Sequence, residues 1–111
     1  MLTVASDVDV LTRFGRALGD PIRCRILLAL RQDAAYPSDL ADALAVSRPR
    51  LSNHLACLRD CGLVVTVPDG RRTRYELADD RLGRALDHLL AAVVAVQSDK
   101  TCPDAAAEGC C

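Results

Sequence analysis

Two cysteines, Cys57 and Cys61, are four residues apart in a segment with helical spacing. Side chains at positions i and i+4 share one face of a helix, with Cβ atoms about 5–6 Å apart. Two thiolates in that position can reach one soft metal ion, which binds sulfur at roughly 2.3–2.6 Å. This thiol pair is therefore a candidate metal site. Free cysteines are also common as small buried hydrophobes, so a packing role is the alternative.

Two thiols do not make a tight site, and Cys102 is the best candidate for a third ligand. Three thiolates favour Cd(II), Pb(II) or As(III), whereas Zn(II) prefers a fourth ligand. The adjacent Cys110 and Cys111 are a candidate accessory site, because neighbouring thiols can bind As(III) or Hg(II). An oxidisable tail is the equal alternative for those two residues.

Catalysis by the thiol pair is disfavoured. Both cysteines fall near the C-terminus of a predicted helix, where the helix dipole opposes the thiolate form. The chain has only two histidines, and no catalytic His–Asp arrangement stands near the cysteines. The sequence therefore predicts a binding protein and not an enzyme.

The length of 111 residues predicts one small domain. Its aromatic residues are only Phe14, Tyr36 and Tyr75, so the core must be aliphatic, and a core of this size gains from dimerisation. Residues 1–10 have no hydrophobic run, and no apolar stretch reaches membrane-spanning length. We therefore expect a cytoplasmic protein without a membrane partner, in which six cysteines favour metal or redox roles over disulfides.

Apolar spacing and turn signals predict an N-terminal arm, a folded domain and a tail, at residues 1–8, 9–97 and 98–111. The domain contains four predicted helices, then a β-hairpin with its turn at 68–70, then a long last helix. This order indicates a mainly α winged helix-turn-helix, in which the hairpin is the wing. The first and last helices have apolar faces left over, which predict a homodimer.

The fourth predicted helix, capped by Ser47, is the candidate recognition helix. Turning Leu51, Leu55 and Leu58 inward leaves a small, polar face that suits the major groove of DNA. Residues 46–74 contain six arginines against two aspartates, a local charge of +4 in a chain of net charge −1, which indicates a nucleic-acid partner. The candidate DNA-binding residues of the helix and the wing are Ser47, Arg48, Arg50, Ser52, Asn53, Arg71, Arg72 and Arg74.

Three segments, at residues 17–30, 52–64 and 70–75, together resemble the ArsR/SmtB family of metal-sensing transcriptional repressors. The resemblance extends over nearly all of the predicted folded domain. It implies a homodimer that binds double-stranded operator DNA without metal and releases the DNA with metal.

The cysteines indicate a particular group of members within this family. The set Cys57, Cys61 and Cys102 is similar to that of the cadmium- and lead-sensing members, which implies Cd(II) or Pb(II) as the effector and a Cys102 contributed across the dimer. The terminal Cys110 and Cys111 depart from that pattern, so As(III) and Hg(II) remain alternative effectors. Two other functions also remain open, namely a DNA-binding regulator switched by thiol oxidation and a protein-interaction module without a DNA role.

Overall fold

A computed structural model describes residues 6–97 of the chain. Its elements follow in the order α1 (Ser6–Leu18), α2 (Pro21–Gln32), α3 (Pro37–Leu44), α4 (Arg48–Asp60), β1 (Val64–Asp69), β2 (Arg72–Leu77) and α5 (Asp80–Gln97). This architecture confirms the predicted winged helix-turn-helix, with α3 and α4 as the helix pair and the hairpin as the wing. Within the described part of the chain, no helix is long and apolar enough to cross a membrane.

The central helix is α2, which contacts α1, α3, α4, α5 and β2. Oδ2 of Asp20 accepts hydrogen bonds from the backbone N–H groups of Ile22 and Arg23 at 2.9 and 3.0 Å, and Pro21 occupies the first turn. An N-cap acceptor followed by proline sets the start of a helix. The buried core around α2 consists of Ala17, Ile22, Ile26, Leu27, Leu30, Leu40, Ala41, Leu51, Leu55, Leu58, Leu63, Val64 and Leu86.

The first helix begins earlier than its predicted start at residue 9. Asp7 and Asp9 both lie in the first turn of α1, where carboxylates interact favourably with the helix dipole. The third helix has Pro37 in its first turn, a position that proline favours.

The wing differs from its prediction at the turn. The strands pair from Val64 with Leu77 to Asp69 with Arg72, so the loop contains only Gly70 and Arg71. The turn predicted at 68–70 is therefore wrong in its first two residues. Counted from the closing pair of a two-residue hairpin, Pro68 falls in a non-hydrogen-bonded pair, where its missing N–H costs no ladder bond. Gly70 has φ +63°, a left-handed conformation that glycine adopts without strain.

The turn between α3 and α4 is closed by Ala45, whose φ and ψ are 56° and 47°. Its backbone N–H is directed to the carbonyls of Ala41 and Asp42 at the end of α3. An L-residue in this left-handed region is strained by roughly 1–2 kcal/mol relative to glycine. The helix-turn-helix thus holds a tight turn at a residue that does not favour it.

The outer helices leave apolar side chains in solvent. Val8 and Leu11 of α1 are 71% and 70% exposed, and Val93 of α5 is 50% exposed. Among the side chains that the structure describes on these two helices, the exposed large apolar residues are Val8, Val10, Leu11, Leu89, Leu90 and Val93. Exposed apolar side chains grouped on two helices indicate an interaction face.

Candidate metal centre and nucleic-acid interface

The placement of α4 follows from its cap and its apolar positions. The Oγ of Ser47 accepts a hydrogen bond from the Arg50 N–H at 3.4 Å, which confirms the predicted N-cap. Leu51, Leu55 and Leu58 are each at most 1% exposed and fix one face of α4 against the core. The other face of the helix is consequently turned outward.

The outward face carries the residues predicted to read DNA. Ser52 and Asn53 are exposed in the middle of α4, and Arg48 and Arg50 are exposed in its first turn. Amide and hydroxyl groups can bond base edges, whereas guanidinium groups suit phosphates or guanine. The structure therefore leaves these four side chains accessible on α4, outside the leucine face that packs against the core.

The three wing arginines differ from one another. The Arg72 guanidinium lies 3.5 Å from the centre of the Tyr36 ring, and Arg74 lies 3.6 Å from both Asp69 and Glu76. Arg71 is exposed at the tip of the hairpin and forms no side-chain hydrogen bond or ion pair with residues 6–97. Arg72 and Arg74, both predicted to contact DNA, are thus already partnered within the protein.

The thiol pair lies at the C-terminal end of the same helix. Cys57 and Cys61 are free and partly buried, and the Cys61 N–H donates to the Cys57 carbonyl at 3.0 Å. Burial raises the pKa of the Cys61 thiol, and the neighbouring Cys57 thiol raises it further, against the opposing charges of Arg13 and Arg23. The thiol is thus protonated at neutral pH, and a metal ion must displace that proton in order to bind.

Cys61 also borders an apolar groove of about 280 Å³ between α1, α4 and α5. Its lining includes Val10, Leu11, Phe14 and Leu82, all on the two outer helices. The thiol pair therefore lies between the outward face of α4, which is predicted to contact DNA, and the exposed apolar side chains of α1 and α5.

Two neighbouring, partly exposed thiols fit a soft, thiophilic ion but supply only two donors. Within residues 6–97, no group of three His, Cys, Asp or Glu side chains could hold a metal ion. The predicted third ligand Cys102, and the predicted accessory residues Cys110 and Cys111, lie outside the described residues. A complete site on this helix hence requires a donor from elsewhere.

Cys24 has a separate environment. Its Sγ donates to the Leu18 carbonyl at 3.0 Å, and it lines an apolar groove together with Leu28 and Leu86. Burial raises the pKa of this thiol, and the Asp20 carboxylate adds to the increase. These contacts are those of a packing residue.

Two features of the site are not evident from the sequence. His54 of α4 has its Nε2 3.8 Å from Oδ2 of Asp20, so α4 approaches the capped start of α2. The N–H of Arg23, assisted by His54 and the Ile22 N–H, lowers the pKa of Asp20. The second feature is that Tyr36 contacts the wing, through Asp69 and Arg72. The sequence signals this contact only by an aromatic residue just before α3.

Residues 20–66 match the bacterial regulatory proteins of the arsR family. Over 102 residues, the chain is 52% identical to the HTH-type transcriptional regulator CmtR of Mycobacterium tuberculosis, covering 92% of this chain and 86% of that protein. The NMR structure of the cadmium metal-sensor CMTR from the same organism has a TM-score of 0.66 and 53% identity, covering 84% of this chain and 97% of that one.

A further similar structure is a homodimeric winged helix-turn-helix DNA-binding domain, Mb0332 from Mycobacterium bovis, described as a possible ArsR-family regulator. Its TM-score is 0.74 at 26% identity, and the match covers 91% of this chain and 95% of that one.

Proposed function

Because the chain belongs to the ArsR family of bacterial regulatory proteins, we propose that it represses transcription by binding operator DNA and releases that DNA on binding Cd(II) or Pb(II). The similar CMTR protein is a cadmium metal-sensor, which supports the choice of ion. The soft thiol donors of Cys57 and Cys61 support it independently.

One feature of α4 carries this proposal: the proposed DNA-reading residues lie on this 13-residue helix, and the thiol pair lies at its C-terminal end, with Cys57 in the last turn and Cys61 as the C-cap. Asn53 is one helical turn before Cys57, and Cys57 is one turn before Cys61. Any change in the position or mobility of the thiol pair is transmitted along the helix to the residues that read bases. The metal response and the DNA response therefore need no relay through a second element.

In the proposed site, Cys57 and Cys61 hold the ion from the last turn of α4, and Cys102 of the tail is the third thiolate. The ion supplies sulfur bonds strong enough to displace the thiol protons at neutral pH. Linking a residue of the tail to α4 restrains the recognition helix in a state that fits the operator less well. A coupling of about 1–3 kcal/mol is typical of such regulation and corresponds to DNA affinity weakened about 5- to 150-fold.

The proposed active form is a homodimer. The exposed apolar side chains of α1 and α5 supply a surface that a second copy can cover, and the similar Mb0332 domain is homodimeric. Two recognition helices then read two operator half-sites. With the last helices packed together, the tail of one subunit can approach α4 of the other, so we propose that Cys102 acts across the dimer.

The test uses a DNA duplex selected from a random library by the reduced, metal-free protein. Fluorescence anisotropy should show about 5- to 150-fold weaker binding on addition of Cd(II), with a thiolate-to-metal absorption band. Cys57→Ser should abolish both effects. Cys24→Ser is the matched control and should retain both, because a hydroxyl can still donate to the Leu18 carbonyl. Full metal-induced release by Cys57→Ser would contradict the assignment.

The same titration separates the alternatives. Pb(II), As(III), Hg(II) and Zn(II) are compared in the wild type, in Cys102→Ser and in a Cys110→Ser/Cys111→Ser variant. A response to As(III) or Hg(II) that requires the terminal pair would assign that ion as effector. DNA release by an oxidant, with a disulfide and no metal absorption band, would instead favour a redox switch.

A further inference from the structure

The wing is held against the start of α3 by one aromatic residue. Tyr36 is the residue before α3, and its hydroxyl group donates a hydrogen bond to Oδ2 of Asp69 at the end of β1. Its ring also lies beneath the Arg72 guanidinium, 3.5 Å from the ring centre. Tyr36 thereby contacts both strands of the hairpin, one on each side of the loop.

Neighbouring contacts strengthen this attachment. Nη2 of Arg72 lies 3.5 Å from Oγ of Ser38 and 3.7 Å from Oδ2 of Asp39, both in the first turn of α3. Ala35 and Tyr75 exchange two backbone hydrogen bonds of 3.0 and 2.8 Å. The segment before α3 therefore pairs with the outer edge of β2, and the hairpin cannot swing freely about its base.

These contacts assign different roles to the wing arginines. Arg72 stacks on Tyr36, and Arg74 is flanked by Asp69 and Glu76, so both already have internal partners that restrict where they can reach. Arg71 is exposed beside Gly70 at the hairpin tip, with no side-chain partner among residues 6–97. It is the wing guanidinium that can meet a phosphate without breaking an internal contact.

We propose that Tyr36 and Asp69 are positioning residues for DNA binding, which together with Arg72 orient the wing so that Arg71 contacts the phosphate backbone. This inference rests on the proposed DNA-binding function. The Tyr36–Asp69 hydrogen bond also raises the pKa of the Tyr36 hydroxyl, which therefore remains a protonated donor across the physiological range.

The positioning role predicts energetic coupling between Tyr36, which does not itself contact DNA, and Arg71, which does. If Tyr36 acts only by orienting the wing, its loss removes the Arg71 contact as well. Removing Arg71 from a variant that already lacks Tyr36 then costs little further affinity. A purely structural role in folding predicts independent, additive effects on DNA affinity.

The experiment is a double-mutant cycle of Tyr36→Leu and Arg71→Ala in the full chain, measured by anisotropy on the selected duplex. One phosphate contact contributes about eightfold to affinity at 0.1 M salt, so Arg71→Ala in a dimer should weaken binding about 60-fold. Tyr36→Leu should approach the same value, and the double variant should be weaker than either by less than about threefold. Additive losses would overturn the proposal.

Further variants keep the test decisive. Tyr36→Phe retains the ring beneath Arg72 and loses only the hydroxyl hydrogen bond, so it should weaken DNA binding by an intermediate amount. If Tyr36→Leu fails to fold, Tyr36→Phe takes its place in the cycle. Arg81→Ala removes an arginine of α5 that pairs with Asp79, and it should leave DNA affinity unchanged. If the wild type selects no duplex, the proposed function fails. Selective binding with an additive cycle refutes only the positioning of the wing.

Discussion

The dependence of operator binding on salt follows from which arginines are free. Among the arginines predicted to bind DNA, Arg48, Arg50 and Arg71 are exposed and form no ion pair with residues 6–97, whereas Arg72 and Arg74 are partnered. In the proposed dimer, three free guanidinium groups per subunit neutralise about six phosphates, and the logarithm of affinity then falls with the logarithm of salt concentration at a slope of about −5. Contact by all five arginines would give a slope of about −9.

The measurement is the dissociation constant of the selected duplex between 50 and 200 mM KCl, by fluorescence anisotropy. A slope of about −5 corresponds to an affinity that weakens about 1,000-fold across this range. Arg50→Ala removes one contact from each subunit and should reduce the magnitude of the slope by about 2. Arg81→Ala removes a guanidinium of α5 that pairs with Asp79, just before the helix, and should leave the slope unchanged.

The result that would refute this reasoning is a wild-type slope steeper than about −8. It would mean that Arg72 and Arg74 leave Tyr36, Asp69 and Glu76 to bind phosphates in the complex. An unchanged slope in Arg50→Ala would equally exclude the first turn of α4 from the DNA contact. Neither outcome would contradict the proposed metal site, because the thiol pair lies at the other end of the helix.

Two further predictions concern stability at fixed protein concentration. Ala45→Gly should increase the free energy of unfolding in urea by about 1 kcal/mol, because glycine accepts the φ of +56° without strain. Ala43→Gly inside α3 is the control and should decrease the free energy of unfolding by a similar amount. Equal effects of the two substitutions would exclude backbone strain as the cause. Asp79 accepts hydrogen bonds from the Arg81 side chain and backbone, which lower its pKa from 3.8 to about 2, so its charged form stabilises the fold above about pH 4 and this contribution disappears as the pH falls through 2. Asp79→Asn should therefore differ from the wild type by a constant amount near neutral pH, and the difference should shrink between about pH 4 and 2 in acid-unfolding curves.

The sequence by itself determined the order of the elements, which face of α4 packs against the core and which face is turned outward. The serine cap at Ser47 and the spacing of Leu51, Leu55 and Leu58 are local signals, since a helix repeats every 3.6 residues and its first N–H groups need a nearby acceptor. The spacing of Cys57 and Cys61 is equally local, so the thiol pair could be recognised without a fold. The hairpin turn was misplaced because proline usually marks a loop, whereas the pairing register leaves Pro68 without a lost hydrogen bond.

Only the tertiary structure decided what the charged side chains do. Arg71, Arg72 and Arg74 look alike in sequence, but Tyr36, Asp69 and Glu76 engage two of them and leave the third at the hairpin tip. The raised pKa of Cys61 likewise depends on its burial beside α1. The physical reason is that electrostatic and stacking contacts depend on distance in space, between segments far apart in the chain, whereas helix periodicity and capping are fixed by close neighbours.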